Sequence, residues 1–487
     1  MRISWVVPVL VLALSGQTPP MPVPVTILQF ERARSLGDGA LARALASPDE
    51  AIAARAALAI GRTKLPAGES LLLDASSDPR VGVRAMSVYG LGLMATGNAA
   101  AHILAAMHDP SSAVRLAAVD ALDRYEAAHV LRGEETSAES SLAGALAGDG
   151  DVLVRGRAAI ALSEFANGPR GDAASRALLS SFATEKNAGV RERVMWTIFR
   201  GYPIRVPREI LVGALRDSDE VVRIEAVRAL GRVKNRDAVA ALQPMLDDPS
   251  WRVQEQAAES IRQLNGQALT DHWTAIPAGI HLPPTRPDSL AGISALPRVG
   301  PASTPAAPAA PAAILNPSID PQSAADMAGP ARGAHPRVRV VTTQGNLYVT
   351  LYPEWAPLTV ENFLNVAGDG YYDNNRWFRI VPDFVVQTGD PTDNGDGDAG
   401  YTIGAEENPI DQHSYVISMG LNYTDPPDAH AIRDSAGTQY YITLSPQYHL
   451  DRDFTVFGQV TSGFDVLARL IESDRILRIE RLPDVTL

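Results

Sequence analysis

The sequence contains no cysteine among its 487 residues. This absence excludes disulfide bonds, thiolate metal sites, iron–sulfur clusters and cysteine nucleophiles. Aromatic residues are scarce at 6%, and charged residues make up 20% beside 46% hydrophobic ones. That balance is typical of soluble globular proteins and excludes a wholly disordered or multi-spanning membrane protein. At about 150 residues per domain, a chain of this length is expected to form two to four domains.

Lysine is missing from the last part of the chain, where the negative charge is concentrated. The whole sequence has 43 basic and 56 acidic residues, a net charge of −13. From Arg337 onward there are 10 arginines, no lysine and 22 acidic residues, so the first 336 residues are nearly neutral. The overall charge argues against nucleic acid and anionic membranes as main partners. Its uneven distribution indicates two bodies with different electrostatics.

Residues 1–18 have the pattern of a secretory signal. Arg2 precedes an apolar run from Ile3 to Leu14, and small residues follow it. A membrane-spanning helix needs about 20 residues, so the run is short for one. We expect an exported protein, periplasmic or extracellular, cleaved near Ala13-Leu14-Ser15. An uncleaved signal that acts as an anchor, or a frayed cytosolic N-terminus, stays open.

A repeat occupies residues 30–266. Its marker is the second residue of a Val-Arg pair, which recurs every 31 to 40 residues at Arg84, Arg115, Arg155, Arg191 and Arg223, with Gln254 of Val253-Gln254 at the next equivalent place and Ala53 as a degenerate match before them. Six residues before each marker lies a residue that favours helix starts, and proline follows several of them. These residues are Ser47, Asp78, Asp109, Asp149, Glu185, Asp217 and Asp248. Aliphatic residues recur seven positions after each marker, which predicts one buried helix face.

A period near 31 residues with two helices per unit predicts a solenoid. The segment Asp217 to Gly231 is similar to HEAT-like repeats, so the resemblance implies an all-α HEAT-like solenoid. We expect the recurrent arginines to pair with a neighbouring carboxylate or carbonyl and to join adjacent repeats. Solenoids of this kind present a concave face to protein partners, which predicts a client-binding platform.

Residues 267–336 form a proline- and alanine-rich stretch centred on Pro301 to Ala313. Such a sequence favours extended polyproline II and cannot bury a core. We expect a linker that holds two domains apart and lets them reorient. One alternative is that a proline-binding domain of the same chain visits these prolines.

The last domain, residues 337–487, begins with two alternating β runs around Gln344-Gly345-Asn346, a hairpin pattern. A helix is expected after Pro357 and another over Phe464 to Ile471. Between them lie the motif Trp377 to Pro391 and the segment Ala436 to Ile442.

In this order the segments resemble the cyclophilin-type peptidyl-prolyl cis–trans isomerases, and the shorter loops look more like the bacterial branch. The resemblance implies a closed eight-stranded antiparallel β-barrel with two capping helices. Rotation about an X–Pro bond meets a barrier of about 18–20 kcal/mol because amide resonance is broken. No covalent bond changes, so the reaction needs no cofactor or metal. A cation beside the twisted amide and an apolar pocket for the ring are sufficient.

The resemblance assigns roles to ten residues. Arg379 is the catalytic cation, and Gln387 orients it and contacts the substrate backbone. The substrate-binding residues are Phe384, Val385, Gly420, Gln439, Tyr441, His449, Leu450 and Phe454.

Several of these positions depart from the family pattern. His449 stands where many members have Trp, which predicts weak cyclosporin binding, and Phe454 stands where many have His. Val385 replaces a common Met, Tyr441 a Phe, and the loop 421–436 is longer than usual. These departures leave open an alternative, a catalytically weak or inactive protein that binds proline peptides as a scaffold.

Two metal patterns are weaker. The loop Asp390 to Asp398 combines carboxylates with glycines, as calcium loops do, but its spacing does not fit an EF-hand. His413, His430 and His449 have no zinc-site spacing. We therefore expect an isomerase of X–Pro bonds in exported proteins, with a helical-repeat platform and proline-containing polypeptides as clients.

Overall fold

The computed structural model describes residues 24–167, 172–201, 206–233, 237–266, 334–381, 383–424, 431–451 and 453–486. They form two compact units, residues 24–142 and residues 143–266 with 334–486. The predicted signal over residues 1–18 and nearly all of the proline-rich stretch lie outside the described residues. Within the described ranges, no helix has the length and apolarity needed to cross a membrane.

Fifteen α-helices are described before residue 267. They are α1 (Val25–Arg32), α2 (Ala40–Leu45), α3 (Glu50–Thr63), α4 (Glu69–Ala75), α5 (Val81–Met94), α6 (Ala100–Ala106), α7 (Ser112–Ala127), α8 (Glu135–Gly148), α9 (Val152–Asn167), α10 (Asp172–Thr184), α11 (Ala188–Gly201), α12 (Arg208–Ala214), α13 (Glu220–Arg232), α14 (Asp237–Leu242) and α15 (Trp251–Leu264). The alternation of a shorter and a longer helix from α4 to α7 and again from α12 to α15 is the two-helix unit of the predicted solenoid.

The marker-bearing helices begin two residues later than the sequence pattern predicts. The predicted start residues instead close a turn before the helix. The Asp109 carboxylate, for example, accepts from the Ser111 amide at 2.8 Å, and the Asp217 carboxylate accepts from the Asp219 amide at 2.9 Å. In α13 the next acidic residue, Asp219, is the actual N-cap and accepts from Val221 N–H. The prediction mistook this turn for the cap because Asp and Ser favour both positions.

The core of the repeats is formed by the longer helices. In the first unit α5 packs against α3 and α7, and in the second unit α11 packs against α9 and α13, while α13 packs against α15. The aliphatic residues seven positions after the markers are buried, as at Leu91, Leu162 and Leu230, except for Ile261 in the last repeat helix, which is half-buried. A Cβ on Gly61 would lie 2.4 Å from the Gly90 Cα, so α3 and α5 approach more closely than side chains would permit.

The recurrent arginines join consecutive repeats, as the sequence predicts. Arg223 Nε lies 2.8 Å from Asp248 Oδ2, and its Nη1 donates to the Asp217 carbonyl at 2.8 Å. The same arrangement links the pairs Arg84–Asp109, Arg155–Glu185 and Arg191–Asp217. In the last repeat Gln254 keeps only the carbonyl contact, with Nε2 donating to Asp248 O at 2.6 Å. These side chains therefore have a structural role in the stack.

Eight strands follow. They are β1 (Ala334–Thr342), β2 (Gly345–Leu351), β3 (Arg379–Val381), β4 (Val385–Thr388), β5 (Val416–Met419), β6 (Tyr440–Thr443), β7 (Val456–Ser462) and β8 (Ile476–Thr486). The β1–β2 hairpin is confirmed, with Thr342 paired to Gly345. The two helices of this domain are α16 (Pro357–Gly368) and α17 (Phe464–Leu467), and the second is shorter than predicted.

All pairings in the sheet are antiparallel, in the order β3-β4-β6-β5-β7-β2-β1-β8. The prediction of a closed barrel is wrong in one detail, because the hydrogen-bonded ladder of the described strands ends at β3 and β8. An isolated bridge between Arg376 and Arg475 lies just outside these edge strands. Phe363 of α16 packs its ring against Tyr372, Tyr440 and Phe457, so this helix covers the core of the sheet.

The C-terminal repeats contact the β domain, although the proline-rich stretch predicts that the two parts are held apart. Arg157 pairs with Asp451, and Arg193 Nη2 lies 2.7 Å from Asp411 Oδ2. The prediction failed because it considered only the connecting segment. Charges on α9 and α11 that look like solvated residues in the sequence have carboxylate partners more than 200 positions away.

Candidate active site

The two predicted catalytic residues face each other across a short hairpin. Arg379 opens β3, Gln387 lies on β4, and the two are direct partners in the antiparallel register. Gln387 is in turn opposite Tyr441 of β6. Because side chains of directly paired residues point to the same face of a sheet, the hairpin places these three groups on one surface.

A chain of side-chain amides sets the orientation of the arginine. Arg379 Nη1 donates to Gln387 Oε1 at 3.3 Å, and Gln387 Nε2 donates to Gln439 Oε1 at 3.1 Å. Gln439 Nε2 donates to the carbonyls of Gly395 and Gly397, each at 2.9 Å. Carbonyls only accept hydrogen bonds, so the Gln439 nitrogen must face them. Gln439 Oε1 then faces Gln387 Nε2, so Gln387 Oε1 is turned towards the Arg379 guanidinium.

The acidic loop after β4 holds those two carbonyls in place. The Asp390 carboxylate accepts from the backbone amides of Thr392 at 2.7 Å, Asn394 at 3.0 Å and Gly395 at 2.5 Å. Burial raises the pKa of Asp390, but these hydrogen bonds outweigh it and the pKa lies below its usual value. Among the described residues no cluster of three metal-binding side chains is present. The Asp390 carboxylate organises the loop through these three backbone amides.

Four predicted substrate-binding residues form one buried apolar cluster. They are Val385, Tyr441, Leu450 and Phe454, with Phe384, Leu421 and Ala431 packed against it. Tyr441 and Phe454 meet edge to face with centroids 5.6 Å apart. Burial raises the pKa of the Tyr441 phenol well above its usual value, so the cluster stays uncharged.

Phe384 connects this cluster to the cation and to His449. The Arg379 guanidinium lies over the Phe384 ring at 5.3 Å from its centroid. On the same ring His449 stacks with centroids 6.0 Å apart and an interplanar angle of 18°. The apolar cluster and the guanidinium are therefore adjacent.

Gly420 and the long loop complete the site. Gly420 N–H donates to the Gln439 carbonyl at 2.8 Å, and a Cβ at this position would lie 3.3 Å from Gln387 Nε2. The positive charge of Arg379 acts on the half-exposed Tyr423, whose pKa is nonetheless raised by burial. Leu421 and Ala431 of the long loop pack against the apolar cluster, so the described ends of this loop lie beside the pocket. Its residues 425–430, including His430, lie outside the described part of the chain.

All ten predicted site residues lie in one region, around the β3–β4 hairpin, β6 and the segment 448–454. The arrangement provides a fixed cation beside an apolar pocket, the two elements that rotation about a prolyl bond requires. Sequence reasoning missed the function of Asp390, which it grouped with other loop carboxylates. It also missed Trp196 of α11, which stacks on His449 at 6.4 Å.

Both parts of the chain are similar to known proteins. Residues 337–482 match the family model described as cyclophilin type peptidyl-prolyl cis-trans isomerase, and residues 38–123 and 208–275 match HEAT repeats. Peptidyl-prolyl cis-trans isomerase B of Bacillus subtilis is 41% identical over 126 residues, 26% of this chain and 82% of the relative. Isomerase CYP18-2 of Arabidopsis thaliana is 37% identical over 144 residues, 30% and 85% of the two chains. A crystal structure of a Cryptosporidium parvum cyclophilin covers 31% of this chain and 98% of its own, at 24% identity and a TM-score of 0.28.

Proposed function

Since this chain belongs to the cyclophilin-type peptidyl-prolyl cis–trans isomerases through its C-terminal domain, we propose that it catalyses rotation about X–Pro bonds of exported polypeptides recruited by its helical repeats. The observation that carries the catalytic part is the hydrogen-bonded series from Arg379 through Gln387 to Gln439 beside the apolar cluster.

The proline ring occupies the pocket of Val385, Tyr441, Leu450 and Phe454. Burial of the ring there holds the substrate while the preceding carbonyl group is free to rotate. As the amide twists, its nitrogen regains a lone pair, and the guanidinium of Arg379 stabilises that lone pair. Because Gln387 already orients the guanidinium, little reorganisation is needed in the transition state.

The test is isomerisation of a short Ala-Pro peptide by the full chain, compared with Arg379→Ala. We expect kcat/KM to fall about 10²- to 10³-fold, the loss typical of removing one group that stabilises transition-state charge. Arg478→Ala is the matched control, because Arg478 is half exposed on β8 and pairs with Glu480, which is not a residue of the site. Its activity should equal that of the unmodified chain.

A background rate for both the unmodified chain and Arg379→Ala would contradict catalysis. Binding of the same peptide in that case would favour the alternative function, a non-catalytic scaffold that recognises proline. The alternative is supported by His449 and the long loop 421–436, which depart from the family pattern.

The client platform is assigned to the N-terminal repeats. Helices α9, α11, α13 and α15 carry side chains that contact the β domain, so their surfaces are partly occupied by this chain itself. The proposal is tested with an unfolded protein whose refolding is limited by one prolyl bond. Acceleration of its refolding should exceed that by a single-domain cyclophilin of equal peptide activity. Equal acceleration would contradict the platform.

Export is proposed from the pattern of residues 1–18. Mass spectrometry of the N-terminus, on protein from the membrane and soluble extracytoplasmic fractions of its host, distinguishes the two forms. A chain that begins near residue 16 supports a cleaved signal, and an intact N-terminus in the membrane fraction supports an anchor. An intact N-terminus in the cytosol would contradict export.

A further inference from the structure

Helix α11 of the repeats contacts the segment that forms one side of the proline pocket. Trp196 is almost fully buried, and its Nε1–H donates to the carbonyl of Pro446 at 2.9 Å. The indole meets the Tyr448 ring edge to face, with centroids 5.1 Å apart. It also stacks on His449, at 6.4 Å and an interplanar angle of 18°. One side chain of the repeats thus contacts three residues of the segment 446–450.

Two further residues of α11, Glu192 and Arg193, contact the side chain of Tyr448. Tyr448 O–H donates to Glu192 Oε2 at 3.0 Å. The guanidinium of Arg193 lies over the Tyr448 ring, 5.2 Å from its centroid. Since hydrogen bonds and aromatic contacts of buried groups are directional, these partners restrict both the position and the rotation of Tyr448.

The segment has little internal structure of its own. Residues Tyr448–Leu450 form a single turn of 3₁₀ helix with two short-range backbone hydrogen bonds, from Leu450 N–H to Gln447 O at 2.8 Å and from Asp451 N–H to Tyr448 O at 3.1 Å. A single turn of this kind does not hold its shape without packing. Its position is therefore determined by what surrounds it, and the buried side of that environment includes α11.

The same segment supplies pocket residues. Leu450 belongs to the apolar cluster with Val385, and His449 stacks on Phe384. His449 contacts both the Phe384 ring and the Trp196 indole at nearly parallel orientation. A continuous series of three rings thus connects the repeats to the pocket.

The repeats also contact the turn that immediately precedes Phe384. Asp383, which has a positive φ of 58°, pairs with Arg228 of α13 at 2.5 Å. The Asp383 carbonyl accepts from Ser445 Oγ at 2.6 Å and from Gln447 Nε2 at 3.0 Å. The turn before Phe384 and the segment after Ser445 are therefore linked, and both contact repeat helices.

We propose that Trp196 is a positioning residue of the isomerase, which sets the width of the proline pocket by holding the segment 446–450 and the ring of His449. The repeats thereby adjust how tightly a prolyl peptide binds. Trp196 acts through His449 and Leu450 and does not itself contact the substrate. The proposal rests on the proposed isomerase function, because the pocket it concerns is the substrate pocket of that reaction.

The test compares Trp196→Ala and Trp196→Phe in the full chain, with kcat, KM and the dissociation constant of one Ala-Pro peptide as readouts. For the alanine variant we expect KM and the dissociation constant to rise about three- to tenfold, as for loss of one aromatic pair, with kcat within about twofold. The phenylalanine variant keeps a ring against His449 and should recover most of the affinity. The split arises because Arg379 and Gln387 are held by β3, β4 and the amide series, whereas Trp196 contacts the segment 446–450.

Tyr89→Ala is the matched control. Tyr89 is a buried aromatic residue of α5, against which Arg124 packs, so its loss leaves a comparable cavity within the repeats. It should lower stability without changing KM. Equal changes in KM for Tyr89→Ala and Trp196→Ala would overturn the proposal, as would an unchanged KM in Trp196→Ala.

If Trp196→Ala does not fold, Glu192→Ala provides the second variant. It removes the acceptor of the Tyr448 hydroxyl and leaves the indole in place, and we expect KM to rise about twofold or more, as for a lost buried hydrogen bond. In that case an unchanged KM in Glu192→Ala would overturn the proposal. An unmodified chain that binds the peptide without turning it over would contradict the proposed function alone, since the dissociation constants still report on the pocket.

Discussion

Replacing Arg228 with methionine tests how strongly the repeats hold the catalytic turn. Arg228 Nε lies 2.5 Å from Asp383 Oδ2, and the guanidinium also covers the Phe199 ring at 4.2 Å. The arginine side chain is 6% exposed and the aspartate 23%. Methionine preserves much of the packing volume but removes the charge. Asp383 then stays at the contact between α13 and the β domain without its cationic partner.

The expected loss of stability depends on whether the Asp383 carboxylate stays charged without a partner or takes up a proton. Breaking a buried ion pair by removing one partner costs about 3–5 kcal/mol. An isolated carboxylate escapes this cost by taking up a proton. From an ordinary pKa of 3.8 that step costs about 4 kcal/mol at pH 7, at about 1.4 kcal/mol for each pH unit. Because Asp383 keeps partial exposure, we expect a loss of about 3 kcal/mol at pH 7.

The same reasoning predicts how the loss depends on pH. At pH 5 protonation of Asp383 costs less than about 2 kcal/mol, so the variant should be destabilised by less than that amount. The loss must shrink as the pH falls, because the uncompensated charge disappears with the added proton. Burial already raises the pKa of Asp383 in the unmodified chain, although Arg228 opposes the effect.

The assay is urea unfolding of the full chain at pH 7 and pH 5, with isomerase activity followed in parallel. Arg232→Met is the matched control. Arg232 lies on the same helix and over the same ring, 4.9 Å from the Phe199 centroid, and donates to the Phe199 carbonyl. A loss for Arg228→Met no larger than for Arg232→Met, or one that is equal at both pH values, would refute the explanation by an unpaired carboxylate.

Three further predictions concern other groups of the second unit. Burial raises the pKa of Glu255 to about 8, with the charge of Asp383 adding to it and Arg252 opposing it. The folded chain therefore binds a proton that the unfolded chain releases, so its stability falls as the pH rises towards 8. Glu255→Gln should be more stable than the unmodified chain at pH 8 by about 1–2 kcal/mol. Identical pH profiles of thermal unfolding for the two proteins would contradict this. Gly389→Ala should prevent stable folding, because φ is +90° and the Cβ would lie 2.4 Å from a carbonyl oxygen, and a thermal midpoint within about 2 °C of the original would contradict it. Asp390→Ala should lower kcat/KM at least about tenfold, since the acceptors of the amide series lose their support, whereas peptide affinity is retained; unchanged kcat is the contrary result.

The sequence predicts the parts of this molecule that depend on local patterns. The 31-residue period predicts the repeats because every unit buries the same face, and the arginine pairs follow because partner and marker recur together. The ten site residues were predicted from the resemblance. Arg379 and Gln387 are only eight positions apart in the sequence, and they lie on one hairpin.

The remaining features depend on contacts between distant segments. Trp196 and Pro446 are 250 positions apart, and in the sequence the tryptophan is indistinguishable from any other core aromatic of a repeat. The function of Asp390 was hidden because neighbouring carboxylates suggest a cation, whereas its actual partners are backbone amides. The open edge of the sheet could not be predicted either, because closure depends on the geometry of β3 and β8 and not on their residue pattern.

The arginine pairs give the array of repeats a direction and an end. Four marker arginines pair with an acidic residue supplied by the unit that follows, as Arg191 does with Asp217 and Arg223 does with Asp248. A gene duplication or deletion that moves a whole unit keeps such pairs matched, whereas a change of half a unit leaves an arginine without its carboxylate. Gln254 has no charge that needs a carboxylate from a following unit, because its amide donates to the Asp248 carbonyl within its own unit. An array built this way can change in length by whole units and still be terminated by a single codon difference.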